Sequence, residues 1–163
     1  MNPTIQADES ERAAVRTVPV LPAVHVVDDE VQVRTALARL LGATGDYQVH
    51  THANADAFLA GYDPDAHACV VLDIGLPGLN GVGLQAELIE RGHPVPIVFL
   101  SGSADVPMCA SALRHGAVDF LTKPVDESLL FAAVARALAQ AAELREQRTR
   151  HSVAAARMAS LTP

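Results

Sequence analysis

The chain has 163 residues, half of them hydrophobic, and a formal net charge of -7. This length can bury one hydrophobic core but hardly two, and the negative charge argues against a chain that grips nucleic acid by itself, because phosphate backbones need clustered positive charge. No stretch reaches the roughly 18 apolar residues of a membrane span, and the amino terminus carries no targeting pattern. We therefore expect a single cytoplasmic domain with tails and no membrane partner, in which Cys69 and Cys109 are buried, reduced thiols.

From residue 22 onward, short apolar runs alternate with helical patterns. Residues 1–21 come before them, mix charged side chains with prolines, and predict a mobile leader with at most a short helix over residues 10–15. The predicted strands cover residues 23–27, 47–51, 70–73, 97–100 and 117–121. The predicted helices cover residues 30–43, 54–62, 82–91, 107–116 and 126–160. Such alternation predicts an α/β fold with a parallel sheet and helices on both faces.

Polar side chains stand at the carboxyl ends of four predicted strands. Asp28 and Asp29 follow the first strand, Asp73 ends the third, Ser101 ends the fourth and Lys123 follows the fifth. Because the carboxyl ends of parallel strands share one edge, where ligand sites form, we expect these side chains to lie together. This stretch alone leaves open a more ordinary role for Asp73, which is to cap the next turn.

These residue types at one edge indicate phosphoryl chemistry. Three neighbouring carboxylates need cations to stay ionised, and Lys123 is the only lysine beside eleven arginines, which indicates a site that needs a compact point charge. Carboxylate oxygens in an open crevice suit Mg²⁺, and a carboxylate can attack phosphorus to form an aspartyl phosphate. The Ser101 hydroxyl adds a donor for phosphoryl oxygens, whereas the set contains no general base for attack on a second substrate.

The sequence around these residues resembles the receiver domain of two-component response regulators, over residues 22–142. The resemblance rests on Val-Asp-Asp-Glu ending at Glu30, Leu-Asp-Ile-Gly-Leu-Pro-Gly ending at Gly78, Phe-Leu-Ser-Gly ending at Gly102, and Gly-Ala-Val-Asp-Phe-Leu-Thr-Lys-Pro ending at Pro124. Four motifs in this order at strand ends are highly specific. The resemblance implies a flavodoxin-like (CheY-like) five-stranded parallel sheet of order 2-1-3-4-5, with helices on both faces and an extended C-terminal helix.

The same resemblance implies that a sensor histidine kinase supplies a phosphoryl group to Asp73. The chain would then be a self-phosphorylating module, not an enzyme with turnover. The implied direct ligands for Mg²⁺, or for Mn²⁺, are Asp29, Asp73 and the carbonyl of Gly75, and Asp28 would join the metal site mainly through metal-bound water. The implied phosphate contacts come from Ser101, Gly102 and Lys123, of which Lys123 and Ser101 also assist catalysis. The bond between Lys123 and Pro124 is expected to be a cis peptide.

Phosphorylation is implied to shift the surface formed by the fourth helix, the fifth strand and the fifth helix. Ser101 and Phe120 are the implied switch residues, and the surface includes Met108, Leu113 and Val125 besides Phe120. Phe120 lacks the hydroxyl of the commoner Tyr, so the switch is expected to be purely steric. Gly75 stands where a larger side chain is often found, which removes a neighbour that can tune dephosphorylation.

The last predicted helix is longer than one domain needs, some 50 Å at ~1.5 Å per residue. Its apolar positions Leu130, Val134, Ala137, Ala141 and Leu144 fit either a weak dimeric coiled coil or a packed helix that frays into a linker. Residues 143–163 form the predicted helical linker, with Arg145, Arg148, Arg150 and Arg157 on a solvated face.

Two short stretches extend the resemblance to the FixJ-like subgroup of regulators. They are residues 105–108 and the final Leu161-Thr162-Pro163, which in that subgroup opens a LuxR-type helix-turn-helix output domain. We therefore expect a transcription regulator that dimerises on phosphorylation and contacts DNA only through a domain missing from this chain. The alternatives are a Mg²⁺-dependent small-molecule phosphohydrolase and a dimerisation module independent of phosphorylation. His50 and His52 share one strand face, but no third metal ligand is evident beside them. The other histidines are scattered along the sequence and indicate structural or solvated positions.

Overall fold

The strands form a single parallel sheet in the computed structural model, which describes residues 20–102 and 106–160. In chain order the strands are β1 (Ala23–Val27), β2 (Gln48–His52), β3 (Ala68–Asp73), β4 (Ile97–Ser101) and β5 (Asp119–Thr122). Their order across the sheet is β2-β1-β3-β4-β5, and every pair is parallel. The predicted fold class and strand order are therefore confirmed.

Five helices alternate with these strands in the described part of the chain. They are α1 (Val31–Gly42), α2 (Ala55–Gly61), α3 (Gly81–Glu90), α4 (Val106–Arg114) and α5 (Glu127–Ser160). Asn54 and Asn80 cap α2 and α3, because their side-chain oxygens each accept a backbone N–H of the first turn at 2.8 Å. The predicted leader over residues 1–21 and the short helix over residues 10–15 fall almost wholly outside the described residues.

The element boundaries differ from the predicted ones by at most two residues, and at β5 the strand begins two residues later than expected. Ala117 still donates its N–H to the carbonyl of Ala112 at 3.1 Å, so it closes α4 instead of opening a strand. Gly116, at φ 96, makes the reversal between them. The peptide bond between Lys123 and Pro124 is cis, as the resemblance implies.

Two hydrophobic clusters fill the space on either side of the sheet. On one face, α1 and α5 pack on the sheet with side chains such as Leu37, Leu41 and Leu130. On the other face, Phe58 of α2 and Leu84 of α3 are fully buried against the strands. Both faces of the central strands are covered, so the side chains of β1, β3 and β4 are buried throughout.

The apolar stripe of α5 packs on the sheet and is not free to meet a partner. Leu130, Val134 and Ala137 are fully buried, and Ala141 is 4 % exposed. Of the two alternatives for this stripe, the packed helix is therefore confirmed over these positions, and the coiled-coil interpretation is wrong there. Beyond them, Val153 and Met158 are exposed.

Polar contacts hold the outer part of α5 against the amino end of the sheet. The Arg148 guanidinium donates to the carbonyl of Pro64 at 2.8 Å and lies 3.6 Å from the Asp65 carboxylate. His67, just before β3, donates its Nε2–H to the carbonyl of Leu138 at 2.8 Å. Arg148 thus departs from the predicted solvated face, because it anchors the helix to the loop before β3.

The cysteines differ from each other in burial. Cys69 is buried in β3, and burial raises the pKa of its thiol to about 12. Cys109 is only partly buried, so the expectation of two buried thiols is wrong for that residue. Among the described helices, none combines the length and the apolarity that crossing a membrane requires.

Candidate functional site

Three carboxylates meet at the carboxyl edge of the sheet. The register pairs Val27 of β1 with Leu72 of β3, so the strands deliver Asp28 and Asp73 side by side. One carboxylate oxygen each of Asp28, Asp29 and Asp73 lies within 4.8 Å of the others. Asp28 and Asp73 are buried and Asp29 is exposed. The prediction that the acidic residues of the first and third strands share one edge is confirmed.

Lys123 supplies the positive charge at this edge. Its Nζ lies 2.8 Å from Oδ2 of Asp28 and 3.5 Å from Oδ2 of Asp73. The Glu30 carboxylate is a more exposed third neighbour at 3.6 Å. The backbone fixes Lys123 in place, because its N–H donates to the carbonyl of Ser101 at 2.8 Å just after the last residue pair between β4 and β5. The lone lysine therefore bridges the acids from β1 and β3.

The pKa values of Asp73 and Lys123 are shifted by burial and by the contacts just described. Burial is the largest influence on Asp73 and raises the pKa of its carboxyl, and the charge of Asp28 adds to the rise. The N–H of Gly75 and the ammonium of Lys123 oppose it without cancelling it. For Lys123, burial alone would lower the pKa, but its hydrogen bond to Asp28 and the surrounding carboxylates outweigh that and raise the pKa. The ammonium therefore stays charged at neutral pH.

The loop after β3 holds the Asp73 carboxylate in position. Oδ1 of Asp73 accepts the N–H of Gly75 at 3.0 Å. Gly81, at the start of α3, allows the helix to approach closely, since a Cβ there would lie 2.9 Å from both the carbonyl oxygen of Asp73 and the Cα of Ile74. Gly81 is thus a positioning residue that the motifs did not single out, although the density of glycine after β3 is a visible signal of a close approach.

An open cleft of about 450 Å³ brings most of the predicted site residues together, although neither Asp28 nor Phe120 lines it. Its walls include Asp29, Asp73, Gly75, Ser101, Gly102 and Lys123, with Met108 of α4 on one side. Ser101 is 2 % exposed and pairs with Thr122 across β4 and β5. Phe120 is partly buried on β5 and packs, like Met108, against the cluster beneath α4. The cleft has room for a phosphoryl group between the acids, the hydroxyl and the ammonium.

The donor set at this edge fits a hard divalent cation. The three acids offer only carboxylate oxygens, which Mg²⁺ and Mn²⁺ prefer, and the cleft leaves space for the remaining ligands. Oδ1 of Asp28 already accepts the N–H of Glu30 at 2.9 Å, and Oδ2 of Asp28 faces Lys123. Asp29 and Asp73 are therefore better placed than Asp28 to hold an ion directly.

A histidine cluster that the sequence patterns did not predict lies on the α2 side of β1 and β2. Nδ1 of His25 is 3.0 Å from Nε2 of His52, and the ring of His25 stacks on both His50 and His52 at a centroid distance of 5.2 Å. Phe58 meets two of these rings edge-on. The expectation that His25 is an isolated histidine is wrong; the register that pairs His25 with His50 would have revealed the neighbours.

Comparison with known proteins agrees with this geometry. Residues 24–135 match the family described as the response regulator receiver domain. The chain is 39 % identical over 139 residues to the transcriptional regulatory protein FixJ of Azorhizobium caulinodans, covering 85 % of this chain and 65 % of that protein. It is 36 % identical over 143 residues to the response regulator protein TodT of Pseudomonas putida, covering 88 % of this chain and 59 % of that protein.

A solved structure extends the likeness to three dimensions. A structure of the response regulator StyR superimposes with a TM-score of 0.81 at 38 % identity, covering 88 % of this chain and 72 % of that one. The chain spans less than two thirds of the length of the FixJ and TodT relatives. The family match covers most of the chain, and the strand order places the acidic residues and the lysine together at the carboxyl edge of the sheet. This chain therefore belongs to the response regulator receiver domain family.

Proposed function

We propose that Asp73 is the phosphoacceptor of a response regulator and that a sensor histidine kinase supplies the phosphoryl group. The observation that carries this proposal is the placement of Lys123 between Asp28 and Asp73 at the edge where three carboxylates converge. A carboxylate oxygen of Asp73 forms the new bond to phosphorus while the bond from phosphorus to the donor breaks. The chain is then a switched binding module, with slow hydrolysis of its own acyl phosphate as its only turnover.

The residues around Asp73 orient the nucleophile and bind the transferred group. The N–H of Gly75 fixes one oxygen of the Asp73 carboxylate. Lys123 contacts a phosphoryl oxygen and offsets part of the charge that phosphorylation adds, about -1.5 to -2. The hydroxyl of Ser101 and the backbone of Gly102, both on the cleft wall, bind the remaining oxygens. Catalysis here consists of positioning and charge neutralisation, as phosphoryl transfer requires.

The metal site comprises Asp29 and Asp73, the carbonyl of Gly75, and Asp28 in a supporting role. Receiver domains generally use Mg²⁺, and the oxygen-only donor set suits Mg²⁺ or Mn²⁺. When bound, the cation supplies neutralisation of negative charge on the phosphoryl oxygens. Asp28 contributes by binding the Lys123 ammonium at 2.8 Å, which holds this positive charge at the wall of the cleft.

The output of the switch is a rearrangement of α4, β5 and α5. Ser101 moves toward the phosphoryl group and the partly buried Phe120 changes its rotamer in response. Because Met108 lines the cleft and packs against the same cluster as Phe120, the change passes from the cleft to α4. A coupling of about 1 to 3 kcal/mol is enough to shift the two populations.

The wider role follows the relatives. FixJ carries the name of a transcriptional regulatory protein, and residues 143–163 would lead from a receiver domain over residues 22–142 to an output domain that binds DNA. Phosphorylation would favour a homodimer through the shifted surface, in the cytoplasm where the kinase presents its phosphoryl group. Leu113, exposed on α4, belongs to that surface.

The test is phosphorylation from acetyl phosphate with Mg²⁺, measured by intact-protein mass spectrometry. We expect the wild-type chain to gain the mass of one phosphoryl group and the Asp73→Asn variant to gain none. Asp56→Asn, the same change at an exposed position of α2, serves as the matched control and gains the group normally. Equal labelling of Asp73→Asn would overturn the proposal, and saturable turnover of phosphomonoesters by the wild type would point to the phosphohydrolase instead.

A further inference from the structure

The short loop that carries Asp28 and Asp29 is tied to its surroundings at several points. The N–H of Asp28 donates to the carbonyl of His52 at 3.2 Å, and Oδ1 of Asp28 accepts the N–H of Glu30 at 2.9 Å. Asp28 is fully buried, so its own carbonyl oxygen needs a hydrogen-bond donor from within the protein. The guanidinium of Arg34 on α1 supplies that donor, with Nη1 at 2.7 Å from the oxygen.

This contact of Arg34 is a strong hydrogen bond that no backbone group duplicates. A bond from a charged guanidinium is shorter and stronger than a bond between neutral groups. Among the described residues, no backbone N–H donates to the carbonyl of Asp28. Arg34 is itself held, because its own N–H donates to the carbonyl of Glu30 at 3.1 Å as α1 begins. The helix thus holds residues 28–30 through both the backbone and the side chain of Arg34.

The position of the Asp29 carboxylate depends on the same peptide group. The carbonyl of Asp28 and the N–H of Asp29 belong to one planar unit, so fixing the carbonyl fixes the direction in which the chain enters Asp29. The Asp29 side chain is exposed, and no donor in the described part of the chain holds its carboxylate. The backbone alone therefore keeps this carboxylate within reach of Asp73.

We infer that Arg34 is a positioning residue of the metal site, which holds the peptide between Asp28 and Asp29 so that the Asp29 carboxylate lies beside Asp73. This role rests on the proposed metal site, in which Asp29 and Asp73 hold the ion directly. Arg34 does not line the cleft and acts through the backbone of Asp28. Without Arg34 the buried carbonyl lacks a donor, and the loop has to shift to bring that oxygen to water.

The positive charge of Arg34 gives the test a sign. A guanidinium this close to Asp28 repels a cation bound to the neighbouring acids, so removing the charge alone would tighten cation binding. Loss of a residue that orients metal ligands weakens the affinity instead, by roughly 10- to 100-fold. The charge of Arg34 and its positioning role therefore predict opposite changes in the Kd of the cation.

The experiment measures the Kd of Mn²⁺ for the full chain, without any phosphodonor, from the electron paramagnetic resonance signal of the free ion. We expect Arg34→Met to raise the Kd by about tenfold or more. Arg34→Lys, which keeps the charge and one donor, should recover much of the affinity. Arg39→Met removes the same charge from an exposed position of α1 and should leave the Kd near the wild-type value. A Kd for Arg34→Met equal to or below the wild-type value would overturn the inference.

A readout in the metal-free wild-type chain keeps the inference testable if Arg34→Met fails to fold. The guanidinium N–H resonances of Arg34 should exchange with water more slowly than those of Arg39, because a buried carbonyl accepts one of them. Equal exchange would overturn the role of Arg34 while leaving the phosphorylation of Asp73 to its own test. A wild-type chain that binds no Mn²⁺ would overturn the metal site together with this role.

Discussion

At the scale of single residues, the behaviour of the site depends on Lys123. Its side chain is 16 % exposed, and it lies against the fully buried carboxylate of Asp28. Removing one partner of a buried ion pair costs far more than the pair itself contributes, because the remaining charge keeps its desolvation penalty. Lys123 is therefore a structural residue of the unphosphorylated chain as well as the proposed contact of the phosphoryl group.

The Lys123→Met variant should be less stable at pH 7 by roughly 3 kcal/mol, because the carboxylates of Asp28, Asp73 and Glu30 lose their neighbouring ammonium group. Urea unfolding measures the loss. Added Mg²⁺ should restore part of it, since the ion supplies the missing charge. The matched control is Arg91→Met, which breaks an exposed pair with Glu87 and should change the stability little, because solvent screens the pair. Equal destabilisation by the two variants would mean that Lys123 is not a buried counter-ion.

At the scale of elements, β1, β2 and α2 form a unit around the histidine cluster. His25 is buried in β1, beside His52 and His50 of β2 and beneath Phe58 of α2. Burial, followed by the charges of His52 and His50, lowers the pKa of His25 from 6.5 to about 4. The folded chain therefore keeps His25 neutral at pH values at which the unfolded chain protonates it.

This difference predicts a loss of stability on acidification. Between pH 6.5 and about 4 the unfolded state binds more protons at His25 than the folded state does, so the free energy of unfolding falls as the pH drops through that range. The full effect is on the order of 3 kcal/mol. Urea unfolding of wild type and His25→Leu should show a flatter pH dependence in the variant. His151→Leu, an exposed control on α5, should keep the wild-type slope; three parallel profiles would contradict the prediction.

The elements also show what the sequence could and could not predict. The edge with Asp29, Asp73 and Lys123 was predictable because parallel strands place their carboxyl ends together, whatever their exact register. The histidine cluster was not, since it depends on which residues of β1 and β2 face each other. The stripe from Leu130 to Ala141 was ambiguous, because a helix repeats its apolar positions in the same way whether it faces a sheet or another helix.

At the scale of the whole molecule, the gathering of carboxylates that the cleft needs for its chemistry lowers the stability of the folded chain. The fold brings three acids within 4.8 Å, and burial raises the pKa of Asp73. Without a bound cation this arrangement reduces the stability of the chain, because like charges repel. A cation that binds only the folded state must therefore stabilise the whole domain by linkage.

We accordingly expect Mg²⁺ to raise the Tm of the wild-type chain, with a gain of about 2.7 kcal/mol at a free concentration one hundred times Kd. A chelator should reverse the rise. Asp29→Asn should reduce the rise strongly while leaving the metal-free Tm unchanged or higher, because the substitution removes one repelling charge. Asp46→Asn, an exposed change at the loop before β2, should leave the rise intact. A full rise in Asp29→Asn would exclude Asp29 as a ligand.

The anchoring of α5 by Arg148 has a mechanical consequence. Twelve residues of the helix follow Arg148, with Ser160 the last of them, a length of roughly 18 Å at about 1.5 Å per residue. The hydrogen bond from Arg148 to the Pro64 carbonyl holds the helix at this point, so a tilt of the helix axis by about 10° here would move Ser160 by roughly 3 Å. Displacements too small to disturb the buried side chains of the domain would therefore still change the direction in which the helix points at Ser160.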